Sequence, residues 1–143
     1  MSEVEQSSRR ILVIANPPCP CPALVDEVAR RVLPGPADVV VVAPALNSRL
    51  RHLASDVDAA VQQAHERVRA AVDALRERGI SARGSIGDTD PVMAIEDALA
   101  DFAATEIVIA THPRANSHWL ERGLISKSAA RFEAPVTEVV ASA

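Results

Sequence analysis

The sequence predicts an α/β fold: a doubly wound, three-layer sandwich with a five-stranded parallel sheet and four helices. Two observations predict it. Short apolar runs alternate along the 143 residues with segments of helical periodicity, which is typical of βαβ units with right-handed crossovers. Three of the runs are apolar at almost every position, as strands buried on both faces require. A single domain is therefore expected over residues 1–143, with the polar segment 1–8 disordered.

Five runs predict the strands and their order. The strongly apolar runs are 10–16 (RILVIAN), 38–44 (DVVVVAP) and 106–111 (EIVIAT), and they suit central positions. The run 80–87 alternates apolar and polar residues, and the run 135–141 begins with Pro135 and ends at Ala141. Both of these weaker runs suit edge strands. The arrangement favours the strand order 3-2-1-4-5, with the topological switch point between the first and fourth strands.

Four helices are predicted between the strands, over 22–33, 57–78, a segment that begins at Pro91, and 117–132. Gly79 supplies a left-handed stop after the second helix. Asp90 is the expected N-cap of the third helix, since its side chain can accept from the first free N–H groups. The fourth helix is expected to turn Ile125, Ala129 and Phe132 toward the sheet.

Composition and charge limit the function. The chain has a formal net charge of −4, and Lys127 is its single lysine. Without a cluster of basic residues, nucleic-acid binding is not expected, because neutralising phosphates supplies most of that affinity. No apolar run reaches the roughly 20 residues of a membrane span, and the start, MSEVEQSS, lacks a signal-peptide pattern. We therefore expect a cytoplasmic protein that binds neither nucleic acid nor membrane.

Cys19 and Cys21 are the two cysteines, and they lie in the segment NPPCPCP. A disulfide at this spacing would be strained, and the cytosol is reducing. A metal site would need further ligands, and no histidine or other cysteine is near in sequence. An inert or mildly oxidisable pair is the favoured interpretation, no metal site is predicted, and a transient metal or redox role remains the alternative.

The chain resembles the universal stress protein family over nearly its whole length. In that family the first strand commonly ends in an aspartate, and the fourth runs into G-x-x-G, a spacer and G-(S/T), which hold a nucleotide. Here Asn16 stands at the aspartate, Ala110 and Pro113 at the first glycines, and Gly123 at the last, followed by Leu124. Thr111, His112 and Arg114 fit residue types usual in the family's loop, Asn116 replaces another common glycine, and the closing PVTEVV resembles the family's last strand.

The departures from the motif weaken its hold on phosphate. Pro113 has no N–H to offer an anion, and Leu124 has no hydroxyl. Ala110 and Asn116 add side chains where the backbone would approach the ligand. The resemblance therefore implies the branch of the family that does not bind ATP tightly, and no bound cofactor is expected.

The long segment 44–56 (PALNSRLRHLASD) follows the second strand and should lie at the same edge of the sheet as the motif. Arg49, Arg51 and His52 in it either clamp an anionic ligand or belong to a solvated flap. Asp88 either meets a ribose hydroxyl or a metal, or simply makes a turn. No sequence motif for catalysis is present.

The leading hypothesis is a non-catalytic, homodimeric stress-response or interaction module with a degenerate nucleotide site, paired through the edge strand at 135–141. The alternative is an adenine-nucleotide sensor that holds ATP, AMP or another small phosphorylated ligand, with slow nucleotide hydrolysis a weaker third. The candidate ligand-binding residues are Asn16, Pro17, Arg49, Arg51, Asp88, Thr111, His112, Arg114, Asn116 and Gly123.

Overall fold

The fold is the predicted doubly wound sandwich. A computed structural model of the chain describes residues 9–15, 22–32, 37–44, 54–87, 90–111 and 124–140. Its elements are β1 (Arg9–Ile14), α1 (Pro22–Val32), β2 (Ala37–Pro44), α2 (Ala54–Glu77), β3 (Ala82–Gly87), α3 (Pro91–Asp101), β4 (Glu106–Thr111), α4 (Leu124–Arg131) and β5 (Val136–Val140). The five strands are parallel, in the order β3-β2-β1-β4-β5. The predicted class, strand order and switch point are confirmed.

The apolar character of β1 explains why it lies at the centre of the sheet. Ile11 and Val13 belong to a buried cluster formed with α1 and α2, whereas Leu12 and Ile14 belong to a second cluster formed with α3 and α4. All four side chains are fully buried. Because successive side chains of a strand point to opposite faces, a strand of continuous apolar residues satisfies both layers of helices at once.

The edge strand β3 lies unusually close to α2 at Gly84. A Cβ atom at this position would collide with Val68 Cγ1 and would lie 3.1 Å from both the carbonyl oxygen of Val41 and Val72 Cγ2. The glycine inside this strand is therefore a packing requirement: it lets α2 rest against the backbone of β3.

The helix boundaries follow the predicted caps where these are described. Asp90 accepts a hydrogen bond from the amide of Val92 at 2.9 Å, and Pro91 follows it at the start of α3. Gly79 has φ of +82°, the left-handed conformation expected after α2. α2 itself begins at Ala54, so the predicted segment 44–56 is not wholly a loop: Pro44 ends β2, and 54–56 are helical.

The predicted buried face of the last helix, α4, is wrong at one position. In α4 it is Ser128 that is fully buried, whereas Ala129 is exposed. Ile125, Ser128 and Phe132 are spaced by three and four residues, which makes one stripe of the helix, and that stripe faces the sheet. The Ser128 hydroxyl has no hydrogen-bond partner within the described residues. Residues 117–123 of the predicted helix, like the segment 1–8, lie outside the described residues.

The amino edge of the sheet is held by an ionic network around Glu106, at the start of β4. Its carboxylate accepts from Arg9 Nε at 2.7 Å and from Arg31 Nη1 at 2.6 Å. Arg31 also contacts Glu27 at 2.7 Å and donates to the Thr137 hydroxyl at 2.9 Å. Burial by itself raises the pKa of Glu106, but hydrogen bonds from the two arginines, and their charges, outweigh it and hold that pKa below its usual value.

Candidate functional site

The candidate site lies at the carboxyl edge of the sheet, opposite the Glu106 network, at the point between β1 and β4 where the strand order reverses. β1 lies between β2 and β4, and Ile14 of β1 is in register with both Val42 of β2 and Ile109 of β4. The crossovers from β1 and β4 leave on opposite faces of the sheet, since α1 and α2 pack on one face and α3 and α4 on the other. The point between β1 and β4 at which the crossovers change face is the usual ligand position in a doubly wound sheet.

Thr111, the last residue of β4, is the one candidate ligand-binding residue that the structure describes. It is only 4% exposed. Its hydroxyl donates a 2.7 Å hydrogen bond to Glu138 Oε2 on β5. Glu138 is in register with Ile109, so the contact is the diagonal one between neighbouring parallel strands.

The bond to Glu138 changes what Thr111 offers a ligand. The hydroxyl proton is directed to a carboxylate of the same chain, so the oxygen presents its lone pairs to a ligand rather than its proton. The carboxylate also brings a negative charge next to the place where a phosphate was expected. Like charges in this arrangement repel, so this side of the crevice is better suited to the neutral part of a ligand than to its phosphate.

Arg67, on α2, is a residue at this edge that the sequence reasoning missed. Its Nε donates to the carbonyl oxygen of Ala15 at 3.1 Å, and its Nη2 donates to the carbonyl oxygen of Pro44 at 2.8 Å. These carbonyls stand at the carboxyl ends of β1 and β2. A signal was present: Arg67 is three residues after Ala64 and four before Ala71, both buried, so it borders the packed stripe of the helix.

The other candidates lie outside the described residues: Asn16, Pro17, Arg49, Arg51, Asp88, His112, Arg114, Asn116 and Gly123. Their attachment points are described, and they lie at one edge of the sheet because all five strands are parallel. Asn16 and Pro17 follow Ala15, Asp88 follows Gly87, and His112 follows Thr111. The fold thus brings the described residues from which these segments continue to the carboxyl edge of the sheet.

A shallow groove lies elsewhere, at the amino ends of β2 and β3. It encloses about 200 Å³ and is lined by Asp38, Val39, Arg76, Ser81, Ala82 and Arg83. Arg76 Nε donates to the carbonyl oxygen of Ala82 at 3.0 Å, and Arg83 stacks over the ring of Phe102, 5.5 Å from its centroid. Both arginines thus have contacts of their own, and Asp38 opposes anion binding there.

In the part of the chain that the structure describes, no group of three or more His, Cys, Asp or Glu side chains is arranged to hold a metal ion. Cys19 and Cys21 fall outside that part. None of the described helices is both long and apolar enough to cross a bilayer.

Comparison with known proteins identifies the fold. No protein-family model matches the chain, and no curated protein sequence matches it. A universal stress protein from Archaeoglobus fulgidus superposes with a TM-score of 0.66 at 20% identity, over 92% of this chain and 93% of that one. The structure of the universal stress protein from Archaeoglobus fulgidus in complex with dAMP superposes with a TM-score of 0.66 at 19% identity, over 92% of this chain and 97% of that one. A protein of the universal stress protein family from Burkholderia pseudomallei superposes with a TM-score of 0.57 at 14% identity, over 90% of this chain and 94% of that one. The fold is that of the universal stress proteins.

Proposed function

We propose that this chain is a non-catalytic nucleotide-binding module that pairs with a second copy of itself through β5. The proposal of nucleotide binding rests on the switch point between β1 and β4. The chain shares this fold with a protein whose structure holds dAMP. In a doubly wound sheet the crevice at this point is the general ligand position, so we expect the nucleotide at the carboxyl edge.

The ligand that fits best is an adenosine monophosphate. Where the family motif holds phosphates, Pro113 lacks an N–H and Leu124 lacks a hydroxyl. Thr111 is engaged with Glu138, whose charge opposes further phosphates. Arg114, in the segment that follows β4, can pair with one phosphate, whereas a triphosphate lacks the backbone donors that it needs.

The experiment compares adenosine, AMP and ATP by titration calorimetry on the purified chain, after mass spectrometry of any nucleotide released on denaturation. We expect AMP to bind more tightly than either of the others. Arg114→Ala should weaken AMP binding, whereas Arg69→Ala, a change of the same charge on the exposed face of α2, should not. Tighter binding of ATP would contradict the assignment to a monophosphate, and absence of heat with every nucleotide would remove the nucleotide function.

The absence of catalysis is proposed from the chemistry at the edge. Thr111 is only 4% exposed and its hydroxyl is bonded to Glu138, so its oxygen has little room for in-line attack on a phosphate. The sequence adds no metal-binding or phosphate-transfer motif. We therefore expect no phosphate release from ATP or ADP above the rate in buffer, and a turnover that disappears on Thr111→Val would overturn this part of the proposal.

Dimerisation is proposed from the exposed edge of β5. Among the described residues, this strand has a hydrogen-bonded neighbour, β4, on one side only, and its last residue, Val140, is 49% exposed. Its single charged side chain, Glu138, is bonded back to Thr111. An apolar edge with its charge turned away is open to pairing with another strand, and a second copy offers the same edge.

Light scattering tests the dimer. We expect a particle of twice the 15.2 kDa chain mass at micromolar concentration. Val140→Lys should give monomers, because a lysine at an edge prevents pairing. Met93→Lys is the matched control, since Met93 is 42% exposed but lies on α3. A monomeric wild type, or a Val140→Lys variant that remains dimeric, would contradict pairing through β5.

A further inference from the structure

The hydrogen-bond ladder between β1 and β2 loses a donor at Pro44. The amide of Ala15 donates to the carbonyl of Val42 at 2.8 Å, in a register that sets Ile14 opposite Val42. In a parallel ladder the carbonyl of the same residue accepts from the amide two residues further along the partner strand, which here is residue 44. Proline has no N–H, so the ladder cannot satisfy the carbonyl of Ala15.

The carbonyl of Pro44, at the end of β2, also needs a donor. Residue 17, which an unbroken ladder would offer it, is a proline, and a proline has no N–H to donate wherever it lies. An unsatisfied buried carbonyl is costly, so something else must serve the two oxygens.

Arg67 serves both. Its Nε reaches Ala15 O at 3.1 Å and its Nη2 reaches Pro44 O at 2.8 Å. The guanidinium is planar and holds its donors in a fixed fork, so it sets the spacing between the two strand ends. Arg67 is half-buried on α2, next to the buried Val68, and the helix therefore fixes the position of the fork.

We propose that Arg67 is a positioning residue of the nucleotide site. It replaces the ladder donor that Pro44 lacks and also donates to the carbonyl of Pro44. It thereby fixes the ends of β1 and β2, from which segments carrying candidate ligand residues continue. The choice of AMP as the ligand rests on the proposed nucleotide function. The role of Arg67 at the two strand ends rests on the ladder geometry alone.

The first test measures AMP affinity in variants that keep the fold, as judged by circular dichroism. Arg67→Met should lower the affinity about tenfold, because binding must then supply about 1.4 kcal/mol to order the two strand ends that the fork no longer holds. Arg67→Lys keeps the charge but loses the fork, and it should be intermediate. Arg69→Met removes the same charge from the exposed face of α2 and should leave AMP affinity unchanged. A purely structural role would lower stability in Arg67→Met without changing the AMP affinity of the folded molecules.

The second test restores the missing backbone donor. Pro44→Ala returns an N–H that can reach the carbonyl of Ala15, so Arg67→Met should be less harmful in that background, both to unfolding free energy and to AMP affinity. The amide of Ala15 itself reports the ladder end: its hydrogen exchange should accelerate in Arg67→Met, remain unchanged in Arg69→Met, and recover in the double variant.

The outcomes separate the two proposals. Additive effects of the two substitutions, or unchanged exchange at Ala15 in Arg67→Met, would overturn the positioning role. So would an AMP affinity in folded Arg67→Met within twofold of wild type. A wild-type chain that binds no nucleotide would overturn the proposed function and, with it, the effect of Arg67 on AMP binding. Hydrogen exchange at Ala15 would still decide whether Arg67 holds the two strand ends.

Discussion

The ionic network at the amino edge of the sheet makes Glu106→Gln an informative substitution. The Glu106 side chain is 14% exposed, and it pairs with Arg9, 36% exposed, and Arg31, 25% exposed. The glutamine keeps the shape and loses the charge, which weakens two charge-assisted hydrogen bonds. Each such bond is worth about 1.5–3 kcal/mol when well buried, and partial exposure of the arginines reduces this. We expect a loss of about 2 kcal/mol in unfolding free energy at pH 7.

The pH dependence gives the same substitution a second signature. The pKa of Glu106 is lower in the folded chain than its usual value of 4.5, so the folded state favours the ionised form. The stabilisation is therefore complete above that usual value and is lost as the pH falls through the lower folded value. The difference between wild type and Glu106→Gln should be constant near neutral pH and should shrink below about pH 4.5.

Urea unfolding followed by circular dichroism at a series of pH values measures both effects. Glu96→Gln is the matched control, because Glu96 also pairs with an arginine, Arg131, at 2.5 Å, but with side chains 42% and 53% exposed. That pair should contribute about 0.5 kcal/mol or less. The reasoning is refuted if Glu106→Gln costs no more than Glu96→Gln at pH 7, or if its cost does not change as the solution is acidified.

Three further substitutions test the packing and the caps. Gly84→Ala should cost about 1–3 kcal/mol in thermal or urea unfolding, since its Cβ would collide with Val68; a neutral result would mean that α2 moves away freely. Ser128→Ala should raise the urea midpoint by removing a buried hydroxyl that lacks a partner among the described residues, worth about 1 kcal/mol, whereas Ser126→Ala, on the exposed face of α4, should not. Asp90→Ala should cost about 1 kcal/mol through loss of the α3 cap, and Asp90→Ser should retain most of it.

The fold was predictable from the sequence because its signals are local. Continuous β-branched runs identify strands that must be buried on both faces, and the weaker runs around Gly84 and after Pro135 identify the edges. With right-handed crossovers, few strand orders remain, and the observed one is that predicted. The cap at Asp90 was equally local, because it depends on two adjacent residue types.

The details that set the site were less predictable because they depend on contacts between distant segments. The phase of α4, which buries Ser128 and exposes Ala129, follows from how the helix docks rather than from its own pattern. The bond from Thr111 to Glu138 joins residues 27 positions apart, and it depends on the register between β4 and β5. Periodicity identifies a strand, but it does not determine which residue of the neighbouring strand lies beside it.

The sequence by itself determined the sheet, its order and the edge at which a ligand is expected, because burial on two faces and chain chirality act through residue types and spacing alone. The tertiary structure decided how that edge is held. Pro44 is visible in the sequence, but only the register between β1 and β2 shows that its missing N–H leaves the carbonyl of Ala15 without a ladder donor. Only the docking of α2 shows that Arg67 takes the place of that donor.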